Sequence, residues 1–202
     1  MQDEKQTRQK LIDCAKKEFL EKGYAKASLR SICANAGVTT GALYFFFENK
    51  EALFAAIVDP PLNGLKGILV QHFKDDIEEM SGIASPDDID MDHTEICDRI
   101  VVYIYENYDS FMLLLTATEN TVYENVVDDV VSMIERSIPP MMAALNGYTV
   151  DEYMSHWMSH ISIDAFIHVI RHETDVEKAK VRLRAILNYL VLGWVKLALV
   201  KE

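Results

Sequence analysis

The chain has 202 residues, half of them apolar, which is enough for a sizeable buried core in one modest domain plus a larger one. Its net charge of −12 is unevenly divided: residues 1–50 hold nine Lys or Arg against six Asp or Glu, and the remainder holds eleven against twenty-six. Because like charges repel, the balance of −15 excludes contacts with phosphates over most of the body and leaves them to the N-terminal part, at +3.

The first predicted elements are two helices that precede a glycine turn. Residues 6–23 carry apolar side chains at helical spacing, and Gly23 is expected to close this helix as its C-terminal cap. Ser28 is a good N-cap for a second, shorter helix, because its hydroxyl can accept a hydrogen bond from a free amide of the first turn. Gly37 permits the positive φ that a tight reversal after this helix requires. The apolar stripe of the second helix consists of Leu29, Ile32, Cys33 and Ala36.

A third helix, over residues 40–46, is predicted to be short and partly exposed. Thr39 can cap it, while Leu43 and Phe47, four residues apart, direct one face inward. Small, hydroxyl-bearing or aromatic side chains without negative charge remain outside, as a helix that faces DNA requires: Thr39, Thr40, Gly41, Ala42, Tyr44 and Phe46. Asn49 is expected to cap the next helix, whose inner side carries Leu53, Phe54 and Ile57.

The remainder is predicted to be all-α. Pro60 and Pro61, followed by Asn63 and Gly64, predict a break or kink at residues 59–64, because proline lacks a backbone donor and clashes with the preceding turn. Residues 81–93, rich in Asp, predict an exposed acidic loop. Five helices are then expected at residues 94–107, 110–118, 123–145, 150–172 and 175–200, and no strand-like alternation persists.

The N-terminal pattern resembles the DNA-binding domain of the tetracycline-repressor (TetR) family of bacterial transcription regulators. The matching residues are Phe19, Gly23, Tyr24, Ser28, Ile32, Ala36, Gly37, Val38, the run 41–47 and the run 49–53. The resemblance implies a three-helix helix-turn-helix domain over residues 1–50, with a linking helix from residue 49. It also implies that residues 51–202 form a larger helical domain for effector binding and dimerisation.

The resemblance also indicates which residues contact DNA. Thr39, Thr40 and Gly41 are expected at base edges and close to the DNA backbone. Four others are expected to hold phosphates: Tyr44 and Lys50, helped by Ser28 and Arg30 from the preceding helix. Phe46 departs from the family, many of whose members carry His or Tyr there. Since its side chain has no hydrogen-bond donor, it could only pack on a sugar or a thymine methyl.

Aromatic and sulfur side chains of the middle helices are candidates for an effector pocket. TetR-like bodies generally enclose one, and Met adapts its shape while Tyr supplies a polar tip in an apolar wall. The alternative is that these side chains simply fill the core. The candidates are Tyr103, Tyr108, Phe111, Met112, Trp157 and Phe166.

The last two helices are expected to pair with their copies in a homodimer, as in the family. One apolar face carries Trp157, Ile161, Ala165 and Val169, and the other carries Ile186, Leu190, Trp194, Leu197 and Val200. Two short helices related by a twofold axis can read a palindrome, whereas one reads only a few base pairs.

Residues 150–172 hold four of the six histidines. His156, His160, Asp164, His168 and His172 follow one another at four-residue spacing, so neighbouring pairs could chelate a metal ion. The whole series cannot form one site, because each step drifts by about 40° around the helix. A polar stripe along an interface or a pH-sensitive interface are the alternatives.

These patterns predict a homodimeric repressor that a small ligand releases from a palindromic operator. A metal- or pH-responsive regulator that uses the histidine helix, or one whose effector is a partner protein, is the alternative. We expect neither an enzyme nor a bound cofactor, since the sequence contains no hydrolase, metalloprotease, phosphate-loop or dinucleotide motif. Three cysteines without Cys-x-x-Cys spacing, a polar N-terminus and an apolar stretch at residues 185–200 that is too short to span a membrane indicate a cytoplasmic protein without membrane contact.

Overall fold

The computed structural model describes residues 2–81, 92–143 and 148–201, and it is helical apart from two short strands in these ranges. The predicted all-α class is therefore confirmed. The predicted acidic loop at residues 81–93 falls almost wholly on residues 82–91, outside the described residues. In chain order the elements are α1 (Gln2–Lys26), α2 (Leu29–Ala36), α3 (Thr40–Phe46), α4 (Lys50–Met80), α5 (Thr94–Glu106), α6 (Tyr108–Thr116), α7 (Val126–Ala143), β1 (Tyr148–Val150), α8 (Glu152–His172), α9 (Val176–Ala198) and β2 (Leu199–Lys201).

The chain divides into two compact units. The first contains Met1–Gly64 and Asn107–Val126, and the second contains Leu65–Glu106 and Val127–Glu202. Helix α4 therefore begins in the first unit and ends in the second. The predicted end of the DNA-binding domain at residue 50 is a different boundary from the one between these units, and it stays a prediction.

An aromatic cluster forms the centre of the first unit. The ring of Phe54 lies 5.2 Å from Phe19 and 5.2 Å from Tyr24, in edge-to-face arrangements that favour aromatic pairs. Phe19 and Phe54 are fully buried. Tyr123, from the segment after α6, lies 5.7 Å from Phe54, so a part of the chain distant in sequence completes this core.

Helix α1 extends past the residue at which it was expected to end. Gly23 has φ 73° and ψ 163°, a conformation that interrupts the helical backbone, and a short turn then continues to Lys26. Only glycine adopts such a backbone without strain. The cap position was therefore predicted correctly, whereas the end of the helical segment lies three residues further on.

Of the predicted break or kink at residues 59–64, the break is wrong, because α4 runs as one helix from Lys50 to Met80 with Pro60 and Pro61 inside it, and the kink stays a prediction. The lost backbone hydrogen bonds are offset by packing: Leu62 is buried just beyond the prolines, and Val58 just before them. In addition, the Tyr123 hydroxyl donates a 2.6 Å hydrogen bond to Asp59 Oδ1. This contact holds the turn in which the prolines lie.

By length and composition alone, α4 is also a helix that could cross a membrane. Its N-terminal half, however, supplies Leu53, Phe54, Ile57 and Val58 to the buried core of the first unit. These contacts are those of a core helix in a soluble domain.

The second unit is built on α5, α8 and α9. Cys97, Val101, Val169, Ala179 and Leu183 form its buried cluster. Polar contacts at its edge join distant segments: the Tyr105 hydroxyl donates to the Glu173 carbonyl at 2.6 Å, and the Arg184 guanidinium binds both carboxylate oxygens of Asp98. Burial raises the pKa of the Cys97 thiol to about 11, so this cysteine is an unreactive core residue.

Two short strands in the second unit correct the predicted helix ends. Tyr148–Val150 pairs antiparallel with Leu199–Lys201, so Val150 and Val200 lie in strands and not in helices. The periodicity of the sequence missed this pair because three residues are too few to show alternation, and the partner strands lie about fifty residues apart.

A buried carboxylate joins α1 to the start of α2. Glu18 accepts three hydrogen bonds: from Lys22 Nζ at 2.8 Å, from the Ser28 amide at 3.1 Å and from Ser31 Oγ at 2.9 Å. The pKa of the Glu18 carboxyl lies below its usual range, chiefly because of the hydrogen bond from Lys22. The charge therefore orients the amide end of α2 against α1.

We expect the Glu18→Gln substitution to lower the free energy of unfolding by about 1–3 kcal/mol at pH 7, since an amide cannot satisfy three donors of this kind. A depressed pKa stabilises the fold above the unfolded pKa of about 4.3 and loses that effect as the pH falls through the folded value. The difference between the two proteins in urea denaturation should therefore shrink below about pH 4. Glu21→Gln, an exposed change on the same helix, is the control, and an equal effect of both changes would refute this role.

Candidate nucleic-acid interface

Three capping interactions fix the bounds of α2 and the start of α3. Ser28 Oγ accepts a hydrogen bond from the Ser31 amide at 3.4 Å and begins α2. Gly37, with φ 70° and ψ 30°, ends α2 in the left-handed conformation, and its amide donates to the Ala34 carbonyl at 3.2 Å. Thr39 Oγ1 then accepts from the Ala42 amide at 3.2 Å and begins α3. The three predicted caps are thus confirmed.

Helix α3 has one buried face and one exposed face. Leu43 is fully buried and Phe47 nearly so, as predicted. The exposed side contains Thr39, Thr40, Gly41 and Tyr44, of which Tyr44 is 54% exposed. No carboxylate occurs between Thr39 and Phe47, so this face carries no charge that would repel phosphates.

Gly41 is not required by the packing of the protein itself. A Cβ added there would meet Thr39 Oγ1 at 3.8 Å, an ordinary van der Waals contact, and the backbone of Gly41 is not in the positive-φ region. A side chain at this position would therefore meet little of the protein itself, and Gly41 lies on the exposed side of α3.

Phe45 is a candidate that the sequence analysis missed. Its side chain is 72% exposed, whereas Phe46, which was a candidate, is half-buried and lies 4.9 Å from Phe45 in an edge-to-face contact. The sequence contained a signal for this, because Phe45, Phe46 and Phe47 are consecutive. Successive helical residues point about 100° apart, so the three rings cannot all face inward, and burial of Phe47 indicates that another ring is exposed.

The two basic candidates differ in their surroundings. Arg30 is exposed at the start of α2. The Lys50 ammonium instead lies 4.7 Å above the ring of Tyr24 and donates to the Ala25 carbonyl at 3.3 Å. Burial lowers the pKa of Lys50. A phosphate would therefore have to compete with these internal contacts for Lys50, but not for Arg30.

A second basic residue near α3 was also missed. Arg8, exposed on α1, places its guanidinium carbon 5.2 Å from the centre of the Phe47 ring. It therefore lies beside the C-terminal end of α3. The excess of Lys and Arg in residues 1–50 indicated a basic face but could not show which α1 residue lies next to α3.

The predicted pocket residues fall in both units. Tyr108, Phe111 and Met112 belong to the first unit, and Tyr103, Trp157 and Phe166 belong to the second. Phe166 packs against the buried cluster of the second unit, whereas Trp157 is 43% exposed. The effector pocket stays a prediction.

The histidines of α8 form pairs. The His156 and His160 rings lie 4.5 Å apart, and His156 Nδ1 lies 2.5 Å from Glu135 Oε1. His168 and His172 stack at 4.4 Å, and Asp164 is exposed. Among the residues that the structure describes, these side chains do not form a cluster of three with their ligand atoms within 4.8 Å of one another.

Comparison with known proteins agrees with this geometry. The family model of bacterial regulatory proteins of the tetR family matches residues 11–57, from α1 into the first turns of α4. The HTH-type transcriptional regulator TtgR of Pseudomonas putida is 38% identical over 58 residues, which are 29% of this chain and 28% of that regulator. The family model thus covers the region of the first three helices, and the match to TtgR covers less than a third of either chain.

Similarity in fold extends over almost the whole chain. A transcriptional regulator of the TerR/AcrR family from Aquifex aeolicus VF5 superposes with a TM-score of 0.64 at 20% identity, covering 91% of this chain and 99% of that one. The complex of SmeT, from Stenotrophomonas maltophilia, with triclosan has a TM-score of 0.60 at 22% identity, covering 97% and 92%. These proteins are regulators and not enzymes. Residues 11–57 therefore match the tetR family of bacterial regulatory proteins, and the chain as a whole shares the fold of these solved regulators.

Proposed function

We propose that the protein is a transcriptional repressor that binds a palindromic operator as a homodimer and is released by a small molecule. The observation that carries the proposal is the exposed outer face of α3, which has no negative charge although the chain as a whole is strongly acidic. An exposed short helix with two buried anchors is the form that enters a major groove in helix-turn-helix proteins.

The contacts follow from the positions of the side chains. Thr39 and Thr40 offer hydroxyl groups to base edges, and Gly41 lets the helix approach the DNA backbone. Tyr44 and Arg30 reach phosphates, with Ser28 close by and Lys50 available if it leaves Tyr24. Phe45 and Phe46 can only make apolar contacts, with sugars or thymine methyl groups.

A second copy of the chain is expected to bind α8 and α9. Exposed apolar side chains recur on both helices: Tyr153 and Trp157 on α8, and Val181 and Tyr189 on α9, with Tyr189 80% exposed. Large exposed apolar side chains at helical spacing are typical of an interface. The predicted face needs one correction, because Val169 and Ile186 pack against the core of their own unit. The side chains of Trp194, Leu197 and Val200 lie outside the described residues.

The effector is proposed to be a small molecule, apolar, aromatic or cationic, since the body has an excess of fifteen carboxylates. SmeT, which the chain resembles in fold, has been solved with triclosan and is the repressor of a multidrug efflux pump. A partner protein as effector, or a response to metal or pH through the α8 histidines, is the alternative. Since operators lie in the cytoplasm, we place the protein there.

The Gly41→Ala substitution should weaken operator binding by about tenfold or more, because the added methyl group prevents close approach to the DNA. It should not destabilise the protein, since alanine favours helices more than glycine does. Gly67→Ala, where an added Cβ meets nothing within 4 Å, is the matched control and should leave binding unchanged. Fluorescence anisotropy on DNA from the protein's own promoter region measures both. Unchanged affinity with Gly41→Ala would remove α3 from the interface.

The Arg30→Ala substitution should reduce the salt dependence of binding, because each phosphate contact releases counterions. The slope of log affinity against log salt concentration should fall by about one. Lys74→Ala, an exposed charge in the second unit, should leave the slope as it is. Equal slopes for all three proteins would show that Arg30 does not contact a phosphate.

The Tyr189→Asp substitution should convert the dimer to monomers, because it places a charge in the apolar face of α9. Light scattering after gel filtration should give the mass of two chains for the unmodified protein and of one chain for the variant. Val122→Asp, also at an exposed apolar side chain but outside α8 and α9, should remain dimeric. A monomeric unmodified protein would contradict the proposed assembly.

A further inference from the structure

Two histidines and an aspartate meet in the second unit at a place that the sequence analysis did not identify. His72 and Asp76 lie four residues apart on α4, and His93 immediately precedes α5. One possible ligand atom from each residue lies within 4.8 Å of the other two. We call these three residues the His72 cluster.

The distances in the His72 cluster suit a small divalent ion. His72 Nδ1 lies 3.2 Å from Asp76 Oδ1. Ligands bound at about 2.0–2.1 Å in a tetrahedron are separated by about 3.3 Å, so this pair already has the spacing of one edge. The His93 ring lies 5.6 Å from the His72 ring at an interplanar angle of 84°, and one of its possible ligand atoms lies within 4.8 Å of one from each of the other two residues.

The surroundings of the His72 cluster favour a cation. The side chains of His72 and Asp76 are only 19% and 16% exposed. The carboxylates of Asp75 and Glu79 also act on Asp76, so further negative charge lies near the cluster.

A simple helix pair does not account for all three side chains. His72 and Asp76 alone could form an ordinary hydrogen bond between residues four apart on a helix. His93, however, comes from the far side of the segment 82–91, and its half-buried ring lies against the ring of His72. A shared ion would bind both segments through these three side chains.

We propose that His72, Asp76 and His93 bind a divalent transition metal ion, with Zn²⁺ as the ion that best suits two imidazoles and one carboxylate. Water or an external ligand completes the tetrahedron, as in zinc sites with three protein ligands. The ion connects α4 with the start of α5. The proposal goes beyond the proposed function and holds whether or not the protein binds DNA.

The test uses the full chain, purified without an affinity tag and freed of metal with a chelator. Titration with Zn²⁺ against a chromogenic chelator should show one ion per chain with micromolar or tighter affinity. The three single variants His72→Gln, Asp76→Asn and His93→Gln should each lower this affinity at least tenfold. The double variant His156→Gln/His160→Gln, which removes an exposed histidine pair of α8, should not change it.

Co²⁺ provides a second readout that does not depend on stability. The unmodified protein should show the intense visible absorption of tetrahedral Co²⁺, and His93→Gln should weaken or shift it. Circular dichroism of each metal-free variant identifies any that does not fold, and the remaining variants then decide. Substoichiometric Zn²⁺ binding, or loss of binding only in the α8 double variant, would overturn the proposal.

Discussion

A helix of seven residues is too short to persist on its own, and this constraint governs the N-terminal unit. Helix α3 exists because Leu43 and Phe47 are buried on one side and because Thr39 satisfies a free amide at its start. Because Leu43 and Phe47 hold the helix, its other side does not have to pack against the protein. The exposed face can therefore carry residues chosen for contact with another molecule, and this separation of the two faces is what the proposed function uses.

Part of the support for α3 comes through α2. Glu18 fixes the first turn of α2 from within α1, and Gly37 sets the direction in which the chain leaves α2. A substitution at either residue would change the angle between α3 and the preceding helices. The three hydrogen bonds to Glu18 offset the desolvation cost of this buried charge and tie α2 to α1.

The sequence was sufficient where structure is determined by neighbours along the chain. Ser28, Gly37, Thr39 and Asn49 were identified as caps because capping needs only residues within one turn. The sequence was insufficient where contacts between segments distant along the chain determine the structure. The continuity of α4 through Pro60 and Pro61 depends on buried packing, the strand pair joins β1 to β2, and His93 reaches His72 across twenty residues. Exposure also separated Phe45 from Phe46, which composition alone does not distinguish.

The exposure of Trp157 has a spectroscopic consequence. The chain has two tryptophans, Trp157 and Trp194, on α8 and α9, and the first unit has none. Emission excited at wavelengths that tyrosine does not absorb therefore originates entirely in the second unit. The emission of an indole shifts to shorter wavelength when water is removed from it, so tryptophan fluorescence of the unmodified protein should report any molecule that covers Trp157 on α8. Events confined to the first unit should leave this emission unchanged.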